Sequence, residues 1–349
     1  MGRLMLGRSF LLAAALAAGV FATGLFAPSA ARAQQTLEAI KSRGQLVCGI
    51  HTGVAGFAQP DSRGVWQGMD VDMCRALAVA IFNDASKVRY IPLSSSTRFT
   101  ALGSGEVDVL FRTSTQTMLR DVTLGLRHVV TYFYDGHGFI VRKGTVEKVA
   151  EMRDATICLI QGTTNEQVTA DYFRSINTPF RPLLFERTDQ AANALQAGRC
   201  DSLGTDASQL AGIRSTMPTP QDWVVLPERF SKEPYGAYIR RDDPQWFDVV
   251  RWVTTALIEA EEQGVTQANA EEQRRTSVNP NTRRLLGVTP ELGEALKLDR
   301  AWAYNMVRAL GNYGEIYDRS FGPNTPVDLP RGPNKLWTQG GLIYALPLR

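Results

Sequence analysis

An α/β fold of two similar lobes, each an open sheet with flanking helices, is predicted by three features of this 349-residue chain. Short strand-like runs alternate with helical stretches, the pattern of open α/β sheets. A strand–helix–strand–helix–strand order occurs twice, ending once in GEVDVLFRTS and once in GRCDSLGTDAS, an internal echo. The 316 residues from Gln34 onward also exceed what one hydrophobic core usually holds.

Residues 1–33 read as a removable export signal. Arg3 and Arg8 form a basic start, Phe10 to Ala27 is nearly unbroken apolar sequence, and Ala31-Arg32-Ala33 offers a small-x-small cleavage pattern. A short helix over Thr36–Arg43 leads into the strand Leu46–Ile50, a Gly-, Pro- and Asp-rich loop, and a helix from Val71 to Asn83. Lys87–Leu93 reads as a strand, Thr97–Gly103 as a short helix, and Val107–Phe111 as a third strand. The organisation restarts near Gly138. Ala155–Ile160, Pro182–Phe185 and the run ending at Asp206 are strands, separated by helices after QGTTNEQV and over Asp189–Ala197. Tyr235–Arg240 is a strand and Trp246–Glu262 a long helix, followed by further helices. The Pro- and Gly-rich end is expected to dock through Trp337, Leu342 and Tyr344. With crossings near 134–142 and 235–240, the lobes comprise 34–137 plus 238–349, and 138–237.

Charge excludes one class. Lys and Arg total 38 against 35 acids, but Arg3, Arg8 and Arg32 belong to the signal, leaving 35 of each. A nucleic-acid surface therefore gains no support, and charge selectivity must be local. Four cysteines in an exported protein suggest two disulfides with three connectivities. Their placement favours sequence neighbours, Cys48–Cys74 and Cys158–Cys200. The three histidines His51, His128 and His137 are far apart in sequence, so a metal site is not expected; no cofactor is expected either.

The stretch from Gly105 to Leu126 carries the clearest chemistry. Thr113, Thr115 and Thr117 recur every second residue, and Arg120 follows; in an extended segment the hydroxyls share a side. Hydroxyls beside a guanidinium suit a planar carboxylate. The competing reading is a polar loop whose threonines satisfy their own backbone, with Arg120 paired to Asp121. The echo supplies Asp206 at the end of the matching strand. Open α/β sheets bind ligands at the carboxyl ends of their strands.

Together, GVWQGMDVDMCRALAVAIF, STRFTALGSGEVDVLFRTSTQTMLRD, CLIQGTTNE, GRCDSLGTDAS and NYGEIYDRSFGP…GLIYALP resemble the periplasmic amino-acid-binding proteins of ABC importers. These are solute-binding proteins of family 3, and the likeness is to their general L-amino-acid branch. It extends over the chain beyond the signal. The resemblance implies the two-lobed periplasmic-binding-protein fold of type II, a Venus flytrap, and a monomer that hands free L-amino acids to an inner-membrane ABC permease. It implies that Arg120 holds the ligand α-carboxylate with the hydroxyls of Thr115 and Thr164. The carbonyl of Thr113 and the carboxylate of Asp206 would take the α-ammonium. It places His51, Val54 and Phe57 where side-chain contacts are made, and Trp66 near the pocket.

Bland alternatives exist for several of these residues. Thr164 could cap the helix that Asn165 and Glu166 begin. Asp70 and Asp72 read as helix caps rather than catalytic acids. Glu259, Glu261, Glu262, Glu271 and Glu272 read as solvated faces, and Trp302, Tyr304, Tyr313 and Tyr317 as helix packing. An enzyme on the same fold, resembling cyclohexadienyl dehydratases, would need a second catalytic carboxylate in the cleft. None is evident, nor is a Gly-x-Ser-x-Gly elbow or a nucleotide loop. A ligand sensor using the same closure is the third reading.

Overall fold

The computed structural model of the protein describes residues 36–289 and 291–349; the expected export signal, residues 1–33, lies outside the described residues. The chain forms α1 (Thr36–Arg43), β1 (Leu46–His51), a hairpin of β2 (Gln59–Pro60) and β3 (Trp66–Gln67), then α2 (Met69–Phe82) and β4 (Val88–Leu93). Next come α3 (Arg98–Ser104), β5 (Val109–Leu110), α4 (Met118–Thr123) and β6 (Leu126–Asp135). A second series follows with β7 (His137–Arg142), β8 (Thr156–Ile160), α5 (Thr164–Ser175), β9 (Arg181–Phe185), α6 (Thr188–Gln196), β10 (Ser202–Asp206), α7 (Ala207–Ser215) and β11 (Trp223–Val225). After β12 (Glu233–Arg240) and α8 (Pro244–Glu262) the chain is helical, through α9 (Ala270–Thr276), α10 (Pro280–Leu285), α11 (Glu291–Ala295), α12 (Trp302–Leu310) and α13 (Tyr313–Phe321).

The strands build two five-stranded sheets, ordered β4-β1-β5-β12-β6 and β9-β8-β10-β7-β11. In the first, β1 is parallel to β4 and β5 while β12 runs antiparallel to β5 and β6. In the second, β8 is parallel to β9 and β10 while β7 runs antiparallel to β10 and β11. The echo in the sequence is therefore an echo of topology. β1 is buried at every position and β8 at all but its first, as central strands covered on both faces must be. The chain crosses between the sheets at Gly136 and again between Val225 and Glu233.

Local chemistry sets the helix ends. Asp243 caps α8 by accepting from Trp246 N at 2.9 Å, with Pro244 in the first turn. α8 then buries Val249, Val250, Val253 and Leu257 in the core of the first sheet. Asn312 and Glu315 form a capping box at the start of α13. Cys48–Cys74 ties β1 to α2, and Cys158–Cys200 ties β8 to the turn before β10. Trp302, Tyr304, Tyr313 and Tyr317 are buried in helix packing. Among the described residues no helix is long and apolar enough to cross a membrane.

Three expectations are corrected. The tail does not dock through Trp337, Leu342 and Tyr344, which are more than half exposed; Leu336, Ile343, Ala345 and Leu348 are buried instead. Leu336 bridges Ile343, Trp337 opens a short 3-10 turn over Trp337–Gln339, and Leu342 and Tyr344 flank the buried Ile343 on the opposite side of an extended segment. Asp70 and Asp72 cap nothing, because they lie inside the first turn of α2. Asp70 accepts from Tyr132 Oη at 2.5 Å, and Asp72 holds Arg75 and Arg319 at 2.9 and 2.7 Å. Glu259 and Glu261 are not on a solvated face: Glu259 is buried, and Glu261 pairs with Arg331.

Candidate ligand-binding site

A polar cavity opens where the carboxyl ends of the parallel strands of both sheets meet. Ser95 follows β4, Arg98 begins α3, and Arg112, Thr113, Thr115 and Arg120 follow β5; all line it from the first sheet. From the second, Ile160 ends β8, Thr163, Thr164 and Asn165 open α5, Thr188 opens α6, Thr205 and Asp206 end β10, and Gln209 lies on α7. The open space is about 10 Å³, on a scale where one water occupies roughly 10–15 Å³.

Three guanidinium groups stand on the first-sheet side. Arg120 Nη1 donates to the carbonyl of Thr115 at 2.8 Å and lies over the Phe99 ring at 5.1 Å. Arg112 Nε donates to the Leu93 carbonyl at 2.9 Å. Arg98 donates to the Ser95 carbonyl and, across the cleft, to that of Gly162 at 3.3 Å. Among the described residues none of the three has a carboxylate within salt-bridge distance. Burial lowers all three pKa values, Arg112 to about 10 and Arg98 well below its usual value; repulsion from Arg112 and Arg120 adds to the effect at Arg98, and repulsion from Arg120 to that at Arg112. The alternative Arg120–Asp121 pair does not form, since Asp121 accepts from Gln116 at 2.8 Å. Positive charge left unpaired in a buried cavity favours an anionic guest.

Asp206 faces it from the second sheet. Its Oδ2 accepts from Tyr235 and, at 3.1 Å, from Gln209. The other oxygen, Oδ1, is buried with no well-formed hydrogen bond. Burial, then repulsion from Glu233 and Asp135, pushes the Asp206 pKa well above the usual carboxylate value. A buried acceptor without a donor is costly, and an ammonium group would satisfy it. The amino terminus of α5, a favourable position for an anion, completes a site that can hold a zwitterion by both ends.

The expected threonines separate. Thr113 adopts φ 39°, a strained value for a β-branched residue, and its buried hydroxyl has no partner. Thr117 leaves the row to cap α4, accepting from Arg120 N at 3.2 Å. Thr115 and Thr164 both donate to Glu233, Thr164 at 2.9 Å. Thr163, one residue earlier, holds the cap position of α5.

Thus Arg120, Thr113, Thr115, Thr164 and Asp206 come together at one cavity, whereas His51 and Phe57 are not in its lining. His51 is buried at the end of β1, where Nδ1 accepts from Gly53 N at 3.2 Å. Burial, then Arg112, Arg98 and Arg187, hold its pKa well below the usual value. Phe57 packs edge-on against Phe133 and Phe321 at 5.1 and 4.8 Å, and Trp66 packs beside the same core. Arg98, Arg112 and Glu233 were not singled out from the sequence. Arg112 adjoins the threonine row and was within reach of that reasoning; nothing local marks Glu233.

The sequence profile of the bacterial extracellular solute-binding proteins, family 3, matches residues 46–272. The general L-amino acid-binding periplasmic protein AapJ of Rhizobium johnstonii is 46% identical over 341 residues, covering 97% of this chain and 99% of that protein. The glutamate/glutamine/aspartate/asparagine-binding protein BztA of Rhodobacter capsulatus is 46% identical over 91% of this chain and 95% of its own length. A solved periplasmic binding protein of an ABC transporter from Brucella ovis, with glutathione bound, is 45% identical at a TM-score of 0.88. It covers 90% of this chain and 99% of its own.

Proposed function

Because the chain belongs to the bacterial extracellular solute-binding proteins, family 3, we propose that it captures free L-amino acids between its two sheets and delivers them to an ABC permease. The observation that carries this is the one cavity into which Arg120, Thr113 and Thr115 come from one half and Thr164 and Asp206 from the other. In this reading Arg120 and the amino terminus of α5 take the carboxylate, and Asp206 Oδ1 takes the ammonium. The halves, 34–137 plus 238–349 and 138–237, act as lobes that close on the ligand. Because the carboxylate is held from both lobes at once, by Arg120 of one and the amino terminus of α5 of the other, occupancy favours closure. Residues 1–33 direct export to the periplasm and are removed, and the protein works there as a monomer without a cofactor.

Broad specificity fits the relatives. AapJ is named for L-amino acids in general, BztA for four of them, and the Brucella protein holds glutathione, whose γ-glutamyl end is itself an α-amino acid. The protein is read as a carrier rather than a catalyst, in line with those names. Titration of refolded protein with the common L-amino acids should show binding of several, with each recovered unchanged. Arg120→Ala should weaken binding by roughly thirtyfold to several thousandfold, the effect of losing about 2–5 kcal/mol with one partner of a buried charge pair. Unchanged affinity in that variant, or turnover of the ligand, would refute this reading.

A further inference from the structure

The carboxylate of Glu233 gathers three hydroxyls beside the cleft. Glu233 is the first residue of β12, immediately after the second crossing, and is 2% exposed. Its Oε2 accepts from Thr115 Oγ1 on the first-sheet side and from Thr164 Oγ1 on the second. Its Oε1 accepts from Ser231 Oγ at 2.5 Å. Among the described residues no cation pairs with it. Three hydroxyls satisfy it instead.

A hydroxyl has one proton and two lone pairs. Once Thr115 and Thr164 have given their protons to Glu233, neither hydroxyl can donate to a ligand; each can only accept. Thr113, whose hydroxyl is buried and unpartnered, keeps its proton. The cleft therefore has a built-in polarity. Acceptors are Asp206 Oδ1 with the Thr115 and Thr164 hydroxyls, and donors are the guanidinium groups, the Thr113 hydroxyl and the N–H groups that open α5.

We propose that Glu233 is a positioning residue of the binding site: by accepting from one threonine of each half, it turns both hydroxyls into acceptors for the ligand's ammonium group. This rests on the amino-acid reading above and alters the expected part of Thr115 and Thr164. Their hydroxyls serve the ammonium, leaving the carboxylate to the guanidinium groups and the backbone. A ligand lacking the ammonium leaves these acceptors unsatisfied, which makes Glu233 a source of selectivity although it is not in the cavity lining.

The test compares L-glutamine with glutaramate, the same molecule without its ammonium group, on the full protein by calorimetry and competition. Glu233→Leu removes the acceptor; Glu233→Gln keeps one oxygen for the threonines and turns its amide toward Ser231. The Leu variant is expected to lose about tenfold or more for L-glutamine, as one or two hydrogen bonds would give, with little change for glutaramate. The Gln variant should keep the preference for the ammonium. Melting of each variant without ligand separates misfolding from altered recognition. Should the Leu variant fail to fold, Thr164→Val, which deletes one oriented hydroxyl, carries the same comparison. Equal weakening of both ligands, as a general structural prop would produce, or no effect on either, overturns the proposal. Failure of the unaltered protein to bind any common L-amino acid overturns the amino-acid reading instead, and this inference with it.

Discussion

At the scale of single residues the cleft is governed by charge out of water. Asp206 holds its proton more firmly than an exposed carboxyl, chiefly through burial and then through Glu233 and Asp135. For a carboxyl raised on folding, its contribution to ligand-free stability is complete below the unfolded pKa of about 4 and is lost as pH rises through the folded value. An ammonium bound at Oδ1 offsets that loss, so stabilisation by ligand should grow as pH rises. The increment in melting temperature from saturating L-glutamine is therefore expected to be larger at pH 8 than at pH 5. In Asp206→Asn the increment should be small and nearly independent of pH. Equal increments in the unaltered protein at both pH values would remove Asp206 from the ammonium end.

At the scale of elements, α7 of the second sheet packs close to the loop after β1 of the first, a contact that closure of the proposed lobes would have to accommodate. A Cβ added to Gly212 would lie 2.5 Å from the carbonyl oxygen of Ala55, closer than real contacts allow. Within an isolated helix the same change would stabilise by about 1 kcal/mol. Gly212→Ala is thus expected to leave ligand-free melting unchanged or raised while weakening L-amino-acid binding about tenfold, from the 1–3 kcal/mol of an overpacked contact. Lower melting with unchanged affinity would show that this contact does not control closure. Elements of this kind were largely legible in the sequence. β1 and β8 are marked by apolar runs, α8 was read as a long helix over Trp246–Glu262, and the two polar loops are marked by their echo. The tail was misread because Trp337 sits in a short 3-10 turn and Leu342, Ile343 and Tyr344 alternate in direction, and composition does not say which of them faces inward. Glu233 was illegible for another reason. Its contact with Thr115 spans 118 residues and exists only because the chain returns across the crossing there.

At the scale of the molecule, each disulfide lies within the elements of one sheet and neither spans the crossings. Replacing Cys158 and Cys200 by Ser should lower stability by about 3–4 kcal/mol, the chain-entropy value for a loop of this length, and reduce the melting temperature. Affinity measured well below melting should stay the same, since the bridge joins no element of one half to the other. A large loss of affinity would mean that the bridge shapes the cleft.

The bridges also follow a strict order. Cys48 pairs with Cys74, and Cys158 with Cys200, so every cysteine bonds to its nearest neighbour along the chain. A polypeptide threaded amino terminus first and oxidised as it emerges presents Cys74 as the first available partner for Cys48. Once that pair is joined, Cys158 meets no thiol before Cys200. The sequence of emergence alone then selects one connectivity of the three possible, and maturation calls for an oxidant but no reshuffling of mispaired thiols.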